Sequence, residues 1–241
     1  MLTIRLDSVP STNRYCEALD LQQVDDFTCY WALEQTAGIG QRGNSWVSAA
    51  GENLTFSLVL HPTFLPAAEQ FRLTQALSLA ATDWMEGLAV TGAVVKWPND
   101  IYCDGGKVCG MLVSNRLAGD VIGTAICGIG VNVNQLTFPQ WVPHPTSLAL
   151  LTGRRYTLEP LLRRLLQSIA TRYDELRSGK ELETEYLSRL MNMGRPARYR
   201  HDGHELTATI TGVDRHGRLL LTTDDGVQLC CAMKEIELIL E

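Results

Sequence analysis

The sequence has no apolar run near the roughly 20 residues that a membrane span requires, so no spanning helix is expected. Its opening, MLTIRLDSVP, lacks the basic stretch and apolar core of a secretory signal, and no leader is expected. It is poor in positive charge. Lys and Arg number 21 against 27 Asp and Glu, a formal charge of −6, which argues against a nucleic-acid-binding face. The seven cysteines form no CxxC pair, and no histidines stand at zinc spacing beside them. A disulfide framework and a structural zinc are therefore not expected. Reduced thiols in a cytoplasmic protein are the reading. There is no low-complexity segment and no internal repeat. A chain of 241 residues then holds one large domain, or one with a small appendage.

What is there centres on Glu34 to Leu60, where two strand-like runs enclose Gly38, Gly40, Gly43 and Gly51 with Arg42 and Trp46 between them. Glycines let backbone N–H groups turn toward a ligand, and several in succession form an anion-binding concavity. Gly38, Gly40 and Gly43 spell GxGxxG, but a dinucleotide fold needs a helix next. The alternation Leu54, Phe56, Leu58, Leu60 reads as a strand instead. A glycine loop between strands, gripping a phosphate or carboxylate, is the preferred reading; a plain hairpin connection is the other.

Upstream, Ser11, Thr12 and Asn13 stand before a short helix. They can cap it, or serve a ligand rich in donors and acceptors. Phe71, Leu73, Ala76, Leu77, Ala80, Ala81 and Trp84 recur at helical spacing within a helix expected over 66–88. Next comes KWPNDIY, where Pro98 must break the strand and holds Lys96, Asn99 and Asp100 near one point. Lysine can neutralise a phosphate; Asp and Asn can orient a hydrated Mg²⁺. Gly105-Gly106 turn the chain into a strand bearing Lys107 and Gly110, the latter suggesting close approach by a ligand or another backbone. Asn132, at a strand end, is either a structural bracket or a ligand contact. The loop from Gln135 to Pro145 carries Trp141, which covers an aromatic base or packs on the surface. After helices expected over 157–176 and 182–191, the period falls to two. Short strands with Asp-Gly turns then predict a small antiparallel barrel docked on the main domain.

In chain order, GIGQRGNSW with GENLTFSL, KWPNDIY, GGKVCGMLV, GIGVNVN and PTSL resemble the biotin protein ligases over nearly the whole chain. The most specific element is KWPND followed shortly by a strand starting Lys-x-x-Gly. The resemblance implies an α+β fold. Residues 1–192 would form a mixed-sheet catalytic domain of the class II aminoacyl-tRNA-synthetase-like type, and 193–241 an SH3-like β-barrel. Some members add an N-terminal DNA-binding domain; this chain looks like the short class that lacks it.

The reaction implied is ATP-dependent activation of biotin as biotinoyl-AMP, then transfer to a lysine of a biotin carboxyl carrier protein domain. By resemblance, Ser11, Thr12, Asn13 and Gln35 would bind the ureido ring. The backbone of Ile39, Gly40 and Gln41 would line the pocket, and Trp46, Gly110 and Leu112 would wall it. Lys107 would be the principal catalytic cation, with Arg42 and Lys96 assisting. Gly38, Arg42, Asn99, Asp100 and Asn132 would serve ATP, and Asp100 would organise Mg²⁺. Trp141 over adenine is a placement from loop position. Many relatives have an arginine-rich glycine loop; here Ile39 and Gln41 stand at two of those positions. Relatives of this class often dimerise through a sheet edge. A lipoate-type ligase and a catalytically silent biotin-binding module are the alternative readings.

Overall fold

The structure, a computed structural model, describes residues 1–240, with nothing described of the Arg42 side chain. Its strands are β1 (Leu2–Val9), β2 (Thr28–Gln35), β3 (Leu54–Leu60), β4 (Val94–Lys96), β5 (Asp100–Cys103), β6 (Gly106–Ala118), β7 (Val121–Val131), β8 (Pro196–His201), β9 (His204–Val213), β10 (Leu219–Thr223), β11 (Gln228–Cys231) and β12 (Ile236–Leu238). Its helices are α1 (Thr12–Glu17), α2 (Phe71–Glu86), α3 (Leu148–Thr152), α4 (Leu158–Arg177) and α5 (Glu183–Ser188). Seven strands form one sheet in the order β1-β2-β3-β7-β6-β5-β4. The β1–β2 pair is parallel and the others are antiparallel. Five more form an antiparallel sheet in the order β11-β10-β9-β8-β12. This is the α+β architecture that the sequence predicts.

Side chains alternate across a strand, so each strand divides its residues between the two faces of the large sheet. On one face Trp31, Leu54, Phe56, Leu58, Met111 and Ile129 join α2 and α4 in a single buried core. The expected helical stripe, Phe71 to Trp84, lies in it. On the other face α1 covers only a small cluster of Cys16, Tyr30, Val59 and Ile126. The rest of that face is open, and small or polar residues stand there.

The second sheet shares the main core through Tyr199, Ile210, Leu219 and Ile236, which is the expected docking. Its Asp214–Arg218 turn reaches the large sheet directly. Trp97 Nε1 donates to Gly217 O at 3.0 Å. Gly217, at φ 84°, leaves no room for a Cβ against the Phe71 ring.

Three local expectations differ. The helix over 66–88 begins only at Phe71, because Ala67–Glu69 form a 3-10 turn first. Ser11 occupies the N-cap of α1 without a side-chain cap bond. Thr12 and Asn13 lie inside the helix with their side chains turned inward. The short strand β12 was missing from the sequence expectation; three residues are too few to show a period.

Candidate active site

The open face holds a cleft whose floor follows from strand register. Asp100 pairs with Gly110, Gly110 with Gly130, and Gly130 with Thr55 in one row. Leu112 pairs with Gly128, and Gly128 with Ser57, in the next. Glycine in a strand interior weakens it unless something approaches closely. Here something does. A Cβ at Gly128 would collide with the Asn13 carboxamide, and one at Gly130 with the Trp46 indole. At Gly110 the close protein neighbours are the Trp46, Lys107 and Asp100 side chains rather than another backbone.

One end of the cleft is a polar cluster. The Thr12 backbone N–H donates to Gln35 Oε1 at 2.7 Å, and the Thr12 hydroxyl lies 3.1 Å from the same oxygen. Asn13 Nδ2 donates to Leu112 O at 3.2 Å. Ser57 Oγ stands 2.6 Å from Asn13 Oδ1 and 2.7 Å from Thr12 Oγ1. A carboxamide oxygen can only accept, so Ser57 donates to Asn13. Thr12 then closes the contact to Ser57 or the one to Gln35 with its single proton. Ser11, Thr12, Asn13 and Ser57 are all at most 3% exposed. Of these, Thr12, Asn13 and Ser57 are fixed in place by their bonds. The sequence pointed to Ser11, Thr12, Asn13 and Gln35, and all four line the cleft. It missed Ser57, whose role depends on pairing with Gly128. Ser57→Ala is expected to weaken binding of a polar-headed ligand about 5- to 100-fold, by leaving Asn13 Oδ1 unpaired. Calorimetric titration reads this, and unchanged affinity would remove Ser57 from the account.

The other end is charged. Lys107 Nζ lies 2.6 Å from Asp100 Oδ2 and 5.8 Å from the Trp46 ring centroid. Ile39, Gly40, Gln41, Trp46, Lys107, Gly110 and Leu112 all line the cleft, as the sequence reading required. The glycine loop itself is less open than a nest of free N–H groups. Gly40 N–H donates to Asn44 O at 2.7 Å, and Trp46 N–H to Gly38 O at 2.9 Å. Gly38 lines none of the site cavities; it is a packing position against the Trp46 backbone and Gln35. No helix follows the loop beyond the 3-10 turn Gln41–Gly43, and β2 and β3 are antiparallel, which excludes the dinucleotide fold. The side chain of Arg42 lies outside the described residues.

Two cavities adjoin the cleft. The first lies between the sheets and is lined by Gln41, Lys96, Asn99, Asp100, Lys234 and Glu237 among others. Burial, above all, holds the Lys96 ammonium below the usual lysine range; Asp100 opposes the shift. Lys96 also stands 5.5 Å from the Tyr102 ring centroid. It therefore sits beside the cleft rather than in it. Asn99 is 5% exposed, and its Nδ2 donates to Met111 O, so its amide nitrogen serves the strand.

The second cavity runs between Ser45–Val47 and the loop of Phe138, Trp141 and Pro143, with Lys107 and Asn132 at its base. Asn132 is a structural bracket. Its Nδ2 brackets Thr146 O at 2.9 Å and Lys107 O at 3.3 Å. Its Oδ1 is buried without a partner, as is Trp46 Nε1. A ligand that presents a donor in this cavity would satisfy the Asn132 oxygen. Trp141 is 63% exposed at the mouth.

Asp100 is the one carboxylate lining the main cleft among the described residues. No group of three or more His, Cys, Asp or Glu that could hold a metal occurs among the described residues. The donor set fits Mg²⁺ only in the manner of ions carried by substrate phosphates, with a single protein carboxylate. The cysteines carry no disulfide among the described residues, and burial pushes the Cys16 and Cys109 thiols up to about 12. Neither is a nucleophile at neutral pH.

The model of the biotin/lipoate A/B protein ligase family matches residues 6–132, and the chain belongs to that family. It is 31% identical over 209 residues to the biotin–[acetyl-CoA-carboxylase] ligase of Paracoccus denitrificans, covering 83% of this chain and 86% of that protein. It is 29% identical over 227 residues to the bifunctional ligase/repressor BirA of Bacillus spizizenii, covering 92% and 70%. Among solved structures, the biotin protein ligase from Aquifex aeolicus in complex with biotin and ATP superposes with a TM-score of 0.82. That match has 26% identity and covers 100% of this chain and 99% of that one.

Proposed function

We propose that the protein is an ATP-dependent ligase that activates biotin and transfers it to a lysine of a biotin carboxyl carrier protein domain. The observation that carries this is one cleft with two chemically opposite ends. Its inner end is the fixed polar cluster around Asn13, Gln35 and Ser57; its outer end is Lys107 with Asp100. A ureido ring, with two N–H donors and a carbonyl acceptor, satisfies the first. A carboxylate and the α-phosphate need the second. The dithiolane of lipoate has no use for the inner end.

The chemistry asks for no covalent enzyme intermediate. A biotin carboxylate oxygen attacks the α-phosphorus, the P–O bond to pyrophosphate breaks, and pyrophosphate leaves with the electron pair. The carrier lysine amine then attacks the carbonyl carbon of the mixed anhydride, forming an amide and releasing AMP and a proton. The protein supplies position and charge. Lys107 neutralises the anions as they meet. Asn132 Oδ1 supports an adenine beside it, covered by Trp141. Lys96 supports the departing pyrophosphate from the adjoining cavity, and Arg42 joins Lys107 on the phosphates. Mg²⁺, when bound to ATP, would neutralise phosphate charge, and Asp100 is the residue to hold it.

We read 1–192 as the catalytic domain and 193–241 as an SH3-like barrel, supported by the change of sheet at Pro196. The unpaired outer edge of β1 supports a homodimer. No helix among the described residues is long and apolar enough to cross a membrane; with the free thiols, this supports a cytoplasmic site of action.

Pyrophosphate release from Mg-ATP, with biotin or with lipoate, tests the reading. Release with biotin alone is expected. Release with neither acid returns the chain to a binding module, and release with lipoate alone makes it a lipoate-type ligase. Gln41 adds a kinetic expectation. It lines the cleft where many relatives carry arginine, and its Nε2 lies 3.6 Å from Met233 Sδ. One missing charge-assisted contact is worth roughly 1.5–3 kcal/mol. Gln41→Arg is therefore expected to slow biotinoyl-AMP release by about tenfold or more in stopped-flow fluorescence. Slower release from the wild type than from the variant would refute it.

A further inference from the structure

Asn53 and Gln135 line neither the cleft nor its adjoining cavities, yet both are buried, at 1% and 6% exposure. Asn53 Nδ2 donates to Gln135 Oε1 at 2.6 Å and to Ser48 Oγ at 3.1 Å. Asn53 Oδ1 accepts Val133 N–H at 2.8 Å. Gln135 Oε1 also accepts Ala49 N–H at 3.0 Å, and Gln135 Nε2 donates to Thr137 O at 2.9 Å. A backbone N–H can only donate, so the two N–H bonds fix both carboxamides against flipping.

These bonds join the exit of the glycine loop, Ser48-Ala49, to the entrance of the aromatic loop, 133–137. Two residues before Ser48 stands Trp46. One residue after Thr137 begins the run carrying Phe138 and Trp141. Those two segments are the facing walls of the cavity over Asn132 and Lys107. The buried amide pair therefore sets the gap between the walls from behind.

We propose that Asn53 and Gln135 are positioning residues for the nucleotide half of the reaction, holding the Trp46 wall and the Trp141 wall at the separation that admits a purine nucleotide. This rests on the ATP-dependent reading above. The polar end of the cleft is anchored on α1, β2 and β3, not on this pair. Biotin shares the Trp46 wall but keeps its polar anchor, so loss of the pair should weaken nucleotide use more than biotin binding.

Gln135→Leu tests this in the full-length protein. Removing one partner of a buried amide bond leaves the other unsatisfied. The expected result is a KM for ATP raised about tenfold or more, with the Kd for biotin alone changed less than threefold. Asn53→Ala should do the same, and the double variant should be no worse than the more damaging single one, since the two act as a unit. Asn134→Ala controls for loosened structure. Asn134 is 3% exposed and lies in the same 133–137 segment, but both ends of its amide bracket the Tyr156 backbone rather than the exit of the glycine loop. It should leave the KM for ATP within threefold. Equal changes in ATP and biotin parameters, an Asn134→Ala effect as large as that of Gln135→Leu, or an unchanged KM would each overturn the proposal. If the wild-type chain binds neither biotin nor ATP, the ligase reading falls and this inference with it. Normal wild-type turnover with an unaltered Gln135→Leu overturns this inference alone.

Discussion

Lys107→Ala is expected to lower biotin-dependent pyrophosphate release by about 10²- to 10³-fold, the usual cost of removing one preorganised electrostatic group. Lys107 is the only lysine lining the cleft among the described residues, and it also lines the second cavity. Its backbone is held on both sides. Its N–H donates to His144 O at 2.6 Å, and its carbonyl accepts Thr146 N–H at 3.0 Å. The truncation therefore leaves the strand in place. Its ion pair is partly exposed, 27% and 23% for the two side chains, so its loss should cost little stability. The discriminating result is a large fall in turnover with an unfolding midpoint near that of wild type. Turnover within tenfold of wild type would show that another cation carries the reaction. Biotin affinity measured alone separates the roles further, since the polar end of the cleft is untouched.

Arg172→Ala is expected to destabilise the fold by about 3–5 kcal/mol, the range for breaking a buried ion pair from one side. Arg172, 9% exposed at its side chain, bonds Asp83 at 2.6 Å, Glu175 at 2.9 Å and both oxygens of Glu185. It thus ties α2, α4 and α5 through one guanidinium. Without it three carboxylates face one another, with Arg189 alone to answer Asp83 and Glu185. Urea unfolding reads the loss, and a change under 1 kcal/mol would mean the cluster is solvated in practice.

The acid limb gives an independent check. The Arg172 hydrogen bond, against burial, holds Glu185 below the ordinary value of 4.5. A Lys180 hydrogen bond, followed by burial opposing it and then Arg172, holds Glu175 down. A carboxylate whose folded pKa is depressed contributes fully above its unfolded pKa. That contribution is lost as pH falls through the lowered folded value. Wild-type stability should therefore drop below about pH 4.5, and the drop attributable to this cluster should be smaller in Arg172→Ala. Parallel acid limbs in the two proteins would contradict the assignment.

These expectations rest on features of unequal legibility. The strand Thr28–Gln35 follows from local sequence, because an apolar run there ends in polar side chains before a glycine turn. The break at Pro98 was readable because proline cannot donate to a ladder. Most of the cleft residues were reached through chemistry-bearing motifs. Ser57 was not, since a serine in an apolar strand acquires meaning only when register sets it beside Gly128 and under Asn13. Gly38 carried an ATP role only through the family resemblance; its near neighbours here are the backbone of Trp46 and the Gln35 side chain. Capping by Ser11, Thr12 or Asn13 was a reasonable local expectation, and long-range bonds to Gln35, Ser57 and Leu112 prevailed over it. Arg172 was legible only as one polar position on an amphipathic helix. Its importance comes from α2 and α5, which the sequence places far away.

The pairing of Lys107 with Asp100 leaves the lysine at the charged end of the cleft already matched at rest. A small anion arriving there must first displace an internal counter-ion already in contact, and gains little net attraction by doing so. A substrate that is also gripped at the distant polar end has other contacts to offset that exchange. The cleft thereby discounts charge alone and responds to charge delivered together with shape. Inorganic phosphate should accordingly compete poorly with ATP in steady-state inhibition, and should compete better once Asp100→Asn leaves the lysine unmatched.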